Sequence, residues 1–364
     1  MKINKVLVAN RGEIAIRIFR ACTEIGLRTV GIYTYEDRYS LHRYKADEAY
    51  QIGDDSEPLK PYLDIDKIIE IAKENNIDAI HPGYGFLAEN AKFVKRLEEE
   101  GITFIGPSSE VMTLLGDKIE ARKAMEAAGL PTAQGSSEPI DDAGVASALA
   151  AKIGYPVIIK AAAGGGGIGM QIVNADDEFA GALKLCRSRA RSAFGDERVF
   201  VEKYIVGAQH VEFQILGDGE KAVHFGERFC SIQRRHQKLV EEGPWLEPEV
   251  REKIGALVCR GAEQVGYKGL ATFEFVRDKN GDFYFLEVNP RVQVEHTVTE
   301  MITGYNLVEL GIRVAQGEPL PLSQDDISWR GHAIQCRINA EDPVGFSPSP
   351  GKLWDCHFPS GYGI

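Results

Sequence analysis

The chain has 364 residues, 44% of them hydrophobic and 26% charged, which excludes a disordered polymer and leaves room for two or three domains with sizeable cores. No apolar run reaches the ~18 residues of a membrane span, no secretion signal is expected at the N-terminus, and six dispersed cysteines offer neither a disulfide framework nor zinc-ligand spacing. The net charge of −12 disfavours nucleic acid, and the expected setting is a reducing cytoplasm.

Lys5 to Ala9 reads as a strand, turned by Asn10-Arg11-Gly12. Ile14, Ile18, Ala21 and Ile25 then recur at helical spacing up to Gly26, and Thr29 to Tyr33 supplies the next strand. Asp64 is placed to cap a helix bearing Ile65, Ile68, Ile69 and Ala72. A strand at 77–80, a helix over 90–100 and a strand at 103–105 follow. This alternation predicts a parallel sheet covered on both faces over about the first 115 residues. Beyond it come a helix at 118–129, a strand at 154–160, a glycine run, a strand at 170–173, a helix over 177–193 and a strand at 198–202. Together they predict a small α+β lobe. Residues 210–290 read as mostly antiparallel strands with one helix at 249–266, and another strand set is expected to begin at Gly331.

Two motifs carry chemistry. Ala161 to Gly169 contains GxGxxG, but a strand rather than a helix follows, so the dinucleotide reading fails. A Walker loop fails too, for want of Gly-Lys-Ser/Thr. What remains is a glycine hairpin, either an idle surface loop or a lid whose backbone N–H groups fold over phosphates. Lys160, facing away from Val157 and Ile159 at the mouth of that hairpin, is placed to meet a phosphate.

The second motif is a carboxylate pair. With Asn280-Gly281 as a two-residue turn between strands 271–276 and 282–288, Glu274 lies directly opposite Glu287. Facing like charges destabilise a sheet unless a cation intervenes, and oxygen ligands suit Mg²⁺ or Mn²⁺. Asn289 and Arg291 follow on the face of Glu287 at the period of two. Phe273, Phe275, Phe285 and Leu286 make the hairpin too apolar for a solvated edge. Glu295, just past Arg291, reads either as a general base or as the arginine's salt-bridge partner. His81 and His332 read as hydrogen-bonded residues of the fold.

ANRGEIAIR (9–17), HPGYGFLAEN (81–90), GDK (116–118), GYPVIIKAAAGGGG (154–167), QRRHQK (233–238), FLEVNPRVQVEHTVTEMITG (285–304) and CRINAED (336–342) resemble the biotin carboxylase family of the ATP-grasp superfamily. The resemblance runs from Met1 to Ile364. It implies an α/β chain: an N-terminal Rossmann-like parallel-sheet domain over 1–115, an ATP-grasp α+β fold over 116–330 with a glycine-rich lid lobe at 131–204, and the start of a third domain at 331–364. It also implies that ATP phosphorylates bicarbonate to carboxyphosphate and that the carboxyl group passes to carrier-bound biotin.

By the same resemblance, Lys118 and Lys160 meet the nucleotide phosphates beneath lid glycines Gly164, Gly165, Gly166 and Gly167. Glu202, Lys203 and Ile205 lie at the adenine, with His210, Gln233 and His236 near the ribose and phosphates. Glu274, Glu287 and Asn289 hold Mg²⁺ or Mn²⁺. Lys238, Arg291, Gln293 and Val294 hold bicarbonate, and Glu295 takes its proton. Arg337 stabilises the biotin enolate, and Tyr84 lines the biotin pocket. A biotin carrier protein or domain and a carboxyltransferase component are the implied partners, with a homodimer if the third domain is complete. SLHRYKADEAY (40–50) is nearer the pyruvate-carboxylase branch than the acetyl-CoA-carboxylase branch. A Met-Lys-Met attachment motif is absent, so the carrier is expected on another chain or region.

Three departures stand out. Ile168 replaces a basic residue of the lid, and Phe229 replaces the acid of Glu-Arg-Asp-Cys, where it is expected to disturb Cys230 and the packing beneath Lys238. The chain also stops at Ile364, where the family's third domain ordinarily continues. Two alternatives remain from the sequence. One is a carbamoyl-phosphate-synthetase-like ATP-grasp ligase, against which QRRHQK and RVQVEH argue; the other is a degenerate, non-catalytic ATP-binding protein.

Overall fold

In a computed structural model, which describes residues 3–54, 57–136, 138–140, 142–163, 169–235, 237–351, 355–361 and 363, the N-terminal alternation folds as its periodicity requires. β1 (Lys5–Val8) leads into α1 (Gly12–Glu24), which buries Ile14, Ile18 and Phe19. β2 (Arg28–Tyr33), α2 (Leu41–Lys45) and β3 (Glu48–Gln51) follow. The Asp64 carboxylate accepts from the Lys67 N–H and so starts α3 (Ile65–Glu74) at the expected cap. β4 (Ala79–His81), α4 (Ala91–Glu99) and β5 (Thr103–Phe104) complete a parallel sheet of order β3-β2-β1-β4-β5. Leu7 and Ile80 pack with Ile68 and Phe93 of α3 and α4, while Val6 and Val8 pack with α1 on the other face.

α5 (Ser109–Gly116) and α6 (Lys118–Ala127) lead out of this unit. Next come α7 (Ala143–Ile153), β6 (Val157–Ala161), β7 (Met170–Val173), α8 (Asp176–Phe194) and β8 (Val199–Lys203). The three strands form an antiparallel sheet, β7-β6-β8, over a core of its own built from Ile159, Val173, Phe179, Leu183 and Val201. Sequence reasoning missed α2 and β3 in the first unit and α5 and α7 after it. Of these, α5 spans only two turns, and the small side chains of AGVASALAAKI give α7 little apolar contrast between its faces.

The remaining elements are β9 (Gln209–Asp218), β10 (Ala222–Arg234), β11 (Gln237–Gly243), α9 (Pro248–Gln264), β12 (Lys268–Arg277), β13 (Phe283–Asn289), α10 (His296–Thr303), α11 (Leu307–Ala315) and β14 (Ala333–Cys336). Their strands make one antiparallel sheet, β13-β12-β9-β10-β11-β14. Gly331 therefore does not open a separate strand set: β14 extends the central sheet by pairing with β11, Val240 opposite Cys336. Leu307 and Ile312 of α11 share a core with Ile18 of α1 and Leu270 of β12, which joins the first sheet to the third.

Glu274 faces Glu287 as expected, but not through the expected turn. The hairpin closes with Asp278 N–H donating to Asp282 O, around a three-residue loop in which Gly281 adopts φ +93°. That loop alone would set Leu286 opposite Glu274. A bulge between the Glu274 and Phe275 positions shifts β13 by one residue and brings Glu287 into place.

Candidate active site

A cavity of about 700 Å³ opens among β6, the central sheet and the loop after β4. Tyr84 forms one wall. Its loop is fixed by Asn10, whose Nδ2 donates to Pro82 O (2.8 Å) and Tyr84 O (2.7 Å), so the turn after β1 positions the turn after β4.

Lys118, at the start of α6, and Lys160, in β6, bring their amines to one end of the cavity. Lys118 Nζ lies 2.8 Å from Glu287 Oε2, and Lys160 Nζ lies 2.6 Å from Glu202 Oε2. Glu202 Oε1 accepts from Arg122 (2.6 Å), so both its oxygens are engaged. Lys203 Nζ donates to Gly154 O (2.8 Å). Glu202 and Lys203 thus spend their carboxylate and amine on the lobe's own structure, and neither they nor Ile205 line the cavity. His210 and Gln233 do line the cavity, and Gln233 Nε2 donates to Cys230 O (2.8 Å). His236, Gly164, Gly165, Gly166, Gly167 and Ile168 lie outside the described residues.

Glu274 occupies the centre. Its Oε1 accepts from Lys238 Nζ (2.7 Å), Asn289 Nδ2 (2.9 Å) and Gln293 Nε2 (3.1 Å), while His210 Nε2 lies 3.1 Å from Oε2. Burial works to protonate this carboxyl, but Lys238 and His210 outweigh it and hold it well below the usual carboxylate range. Asn289 Oδ1 accepts from Arg291 Nη2 (2.9 Å). Glu274, Glu287 and Asn289 therefore present hard oxygen donors from two adjacent strands, a set that fits Mg²⁺.

At the far end, Lys238 Nζ is shared among Glu212, Glu274 and Glu295 (2.9 Å to the last). Val294 and Gln293 line the same wall. Arg291 Nε pairs with Glu89 Oε1 (2.9 Å), not with Glu295. Glu295 Oε2 is taken instead by Arg337 Nη2 (2.8 Å), and Arg337 Nε donates to the buried Glu241 (2.6 Å). Arg337 is thus aimed into the cavity from β14's end, while neighbouring Glu341 pairs with Arg234.

Burial favours the neutral form of Glu295, but Lys238, Arg228 and Arg337 push its pKa down from 4.5 to about 2. Its ionised state therefore contributes stability in full above pH 4.5, and that contribution is lost as pH falls toward 2. The stability advantage of wild type over Glu295→Gln in urea unfolding is expected to be constant near neutrality and to shrink below that point. An advantage unchanged at acid pH would contradict the ion-pair geometry.

Phe229 does not lie beneath Lys238. Strand alternation turns it to the other face of β10, where it stacks on Trp245 (ring centroids 4.4 Å apart), leaving Cys230 buried on the face of Glu212 and Glu295. His81 accepts from Gly83 N–H (3.0 Å) and His332 pairs with Glu242 (2.9 Å), both as structural residues.

Sequence reasoning missed Glu212, Arg228, Glu241, Arg122 and Glu89. One signal was present: in HVEFQIL, Glu212 and Gln214 interrupt an apolar strand at alternate positions, which marks a buried polar face.

Residues 2–112 match the family "Biotin carboxylase, N-terminal domain" and residues 117–323 match "Carbamoyl-phosphate synthase L chain, ATP binding domain". The chain is 50% identical to a pyruvate carboxylase subunit of Methanothermobacter thermautotrophicus, over 99% of its own length and 74% of the relative's. It is 49% identical to the biotin carboxylase of Pseudomonas aeruginosa, over 100% of its own length and 81% of the relative's. Among solved structures, the biotin carboxylase domain dimer of Hydrogenobacter thermophilus 2-oxoglutarate carboxylase, in complex with MgADP, ADP and bicarbonate, superposes with a TM-score of 0.96 at 49% identity. That match covers 100% of this chain and 80% of the other. The Campylobacter jejuni biotin carboxylase–β-γ-ATP complex gives a TM-score of 0.95 at 46% identity, covering 99% and 81%.

Proposed function

The chain belongs to the biotin carboxylase family, and from that premise we propose which of its residues perform each part of the reaction. It is an ATP-grasp ligase that uses ATP and bicarbonate to carboxylate biotin on a carrier, through carboxyphosphate. The observation that carries the assignment of roles is Glu295, whose two oxygens are shared between Lys238 and Arg337.

Lys118 and Lys160 exchange their carboxylate partners for the nucleotide phosphates. Glu274, Glu287 and Asn289 would hold Mg²⁺, whose charge would offset that of the phosphates. Lys238, Arg291 and Gln293, with the backbone at Val294, clamp bicarbonate, which must lose its proton to attack the γ-phosphorus. When bicarbonate takes Lys238 and the biotin ureido oxygen takes Arg337, Glu295 loses two of the cations that hold it ionised. Burial, which favours the protonated form, remains. Its proton affinity thus rises as the substrates arrive, which suits a general base. Arg337 then stabilises the ureido oxyanion, with Tyr84 beside it. The same reading assigns the lid glycines and His236 to the nucleotide, where exclusion of water would protect carboxyphosphate, and Glu202, Lys203 and Ile205 to its adenine end.

Residues 1–115, 116–330 (lid lobe 131–204) and 331–364 form the three domains of this reading, the last lending β14 to the central sheet. A biotin carrier protein or domain and a carboxyltransferase component are the proposed partners, with a homodimer as the assembly if the third domain is complete. None of the described helices is long and apolar enough to cross a membrane. All six cysteines are free thiols, which supports work in a reducing cytoplasm. The test is phosphate release from ATP, with bicarbonate and free biotin each supplied or withheld. Release that requires bicarbonate and rises with biotin is expected. Bicarbonate-independent release, or nucleotide binding without turnover, overturns the reading.

A further inference from the structure

Behind the cavity wall, Arg228 in β10 is fully buried, at 0% exposure. Its Nε donates to Glu212 Oε1 (2.5 Å), its Nη1 to Gln214 Oε1 (2.9 Å) and Thr299 Oγ1 (2.8 Å), and its Nη2 to Thr272 Oγ1 (3.1 Å) and Gln293 Oε1 (3.2 Å). A guanidinium has five N–H donors and no acceptor, so every donor is engaged.

Two groups of the cavity are fixed by this. Arg228 can only donate, so Gln293 must turn its oxygen toward it. The Gln293 Nε2 then points the other way, donating to Glu274 Oε1 (3.1 Å). The cavity meets Gln293 as an N–H donor, the polarity an anion requires. Glu212, also fully buried, takes Arg228 on Oε1 and Lys238 on Oε2, so the direction of the lysine follows the orientation of Glu212. Thr299 extends the same clamp to α10, the helix that begins immediately after Glu295.

We propose that Arg228 is the positioning residue of the bicarbonate subsite, which never touches substrate but fixes the polarity of Gln293 and the direction of Lys238. This rests on the assignment of Gln293 and Lys238 to bicarbonate. A purely structural role would lower stability without selecting among substrates, whereas the contacts of Arg228 run to the bicarbonate wall.

The test is steady-state kinetics, with bicarbonate and MgATP varied independently, in Arg228→Lys, Gln293→Ala and the double variant. Lysine keeps the charge but lacks the planar five-donor fork. Arg228→Lys is expected to raise the bicarbonate KM roughly 10- to 100-fold and to leave the ATP KM near its wild-type value. Gln293→Ala is expected to raise the bicarbonate KM on its own and to add little in the Arg228→Lys background, where the amide is already misplaced. Bicarbonate and ATP KM rising together, or losses that multiply in the double variant, overturn the proposal. An unchanged bicarbonate KM in Gln293→Ala alone overturns the subsite assignment and the proposal with it; a raised one there with none in Arg228→Lys overturns only the proposal. Should Arg228→Lys not fold by circular dichroism, Thr299→Val, which removes one of the five acceptors, replaces it in the same cycle under the same criteria.

Discussion

Glu274→Gln and Glu287→Gln are each expected to lower kcat by ~10²-fold or more and to raise the Mg²⁺ concentration needed for half-maximal rate. Each substitution keeps the shape of the side chain and removes one negative charge. The two should differ in a second respect. Among the described residues Glu287 pairs with Lys118 alone, so its loss falls on metal and nucleotide. Glu274 also holds Lys238 and Asn289, so Glu274→Gln should raise the bicarbonate KM as well. Initial rates against total Mg²⁺ at fixed ATP decide the matter. Wild-type metal dependence in both variants would remove the carboxylate pair from the metal site.

Arg337→Ala should separate the two halves of the reaction. Its guanidinium reaches the cavity from the end of β14, paired with Glu241 and Glu295 and, among the described residues, hydrogen-bonded to none of those assigned to the nucleotide. The charge it would stabilise on the ureido oxygen exists only after carboxyphosphate has formed. Losing a donor aimed at such an oxyanion costs ~10²–10³ in rate. Biotin carboxylation should fall by that factor, while slow bicarbonate-dependent ATP hydrolysis is largely spared because Lys238 remains on Glu295. Arg291→Ala should damage both activities. Equal losses in the two assays for Arg337→Ala would end the case for its catalytic role.

The parallel sheet and the strands of the lid were legible because their side chains obey periods of 3.6 and 2 over several residues. The pairing of Glu274 with Glu287 was legible for a partly mistaken reason. The assumed two-residue turn is a three-residue loop, and the bulge at Leu286 restores the register. Nothing in FYFLEVN announces that bulge, since Leu286 carries none of the glycine or turn chemistry that marks one in a sequence. Motifs located the lysines and arginines of the cavity but not their partners. Arg122 meets Glu202 from a helix 80 residues away, and Glu89 meets Arg291 across 202 residues. Contacts of that range leave no local pattern. Arg228 and Glu212 were hidden differently: each satisfies the other inside a sheet, and only the alternate polar positions of HVEFQIL hint at the face they share.

Among the described residues, every lysine and arginine lining the cavity already holds a carboxylate. A pocket neutralised from within projects little field beyond its mouth, and it sits in a chain of net charge −12. Nucleotide and bicarbonate, both anions, are therefore not drawn in from a distance. Their association should depend weakly on ionic strength, or quicken as salt screens the acidic surface. Selectivity instead comes at contact. An anion gains a lysine only by displacing a glutamate, and a displaced glutamate needs a cation or, as at Glu295, a proton of its own. A lone phosphate or sulfate offers no such cation, so it has little to gain in this pocket, whereas ATP entering with its metal supplies both halves of the swap.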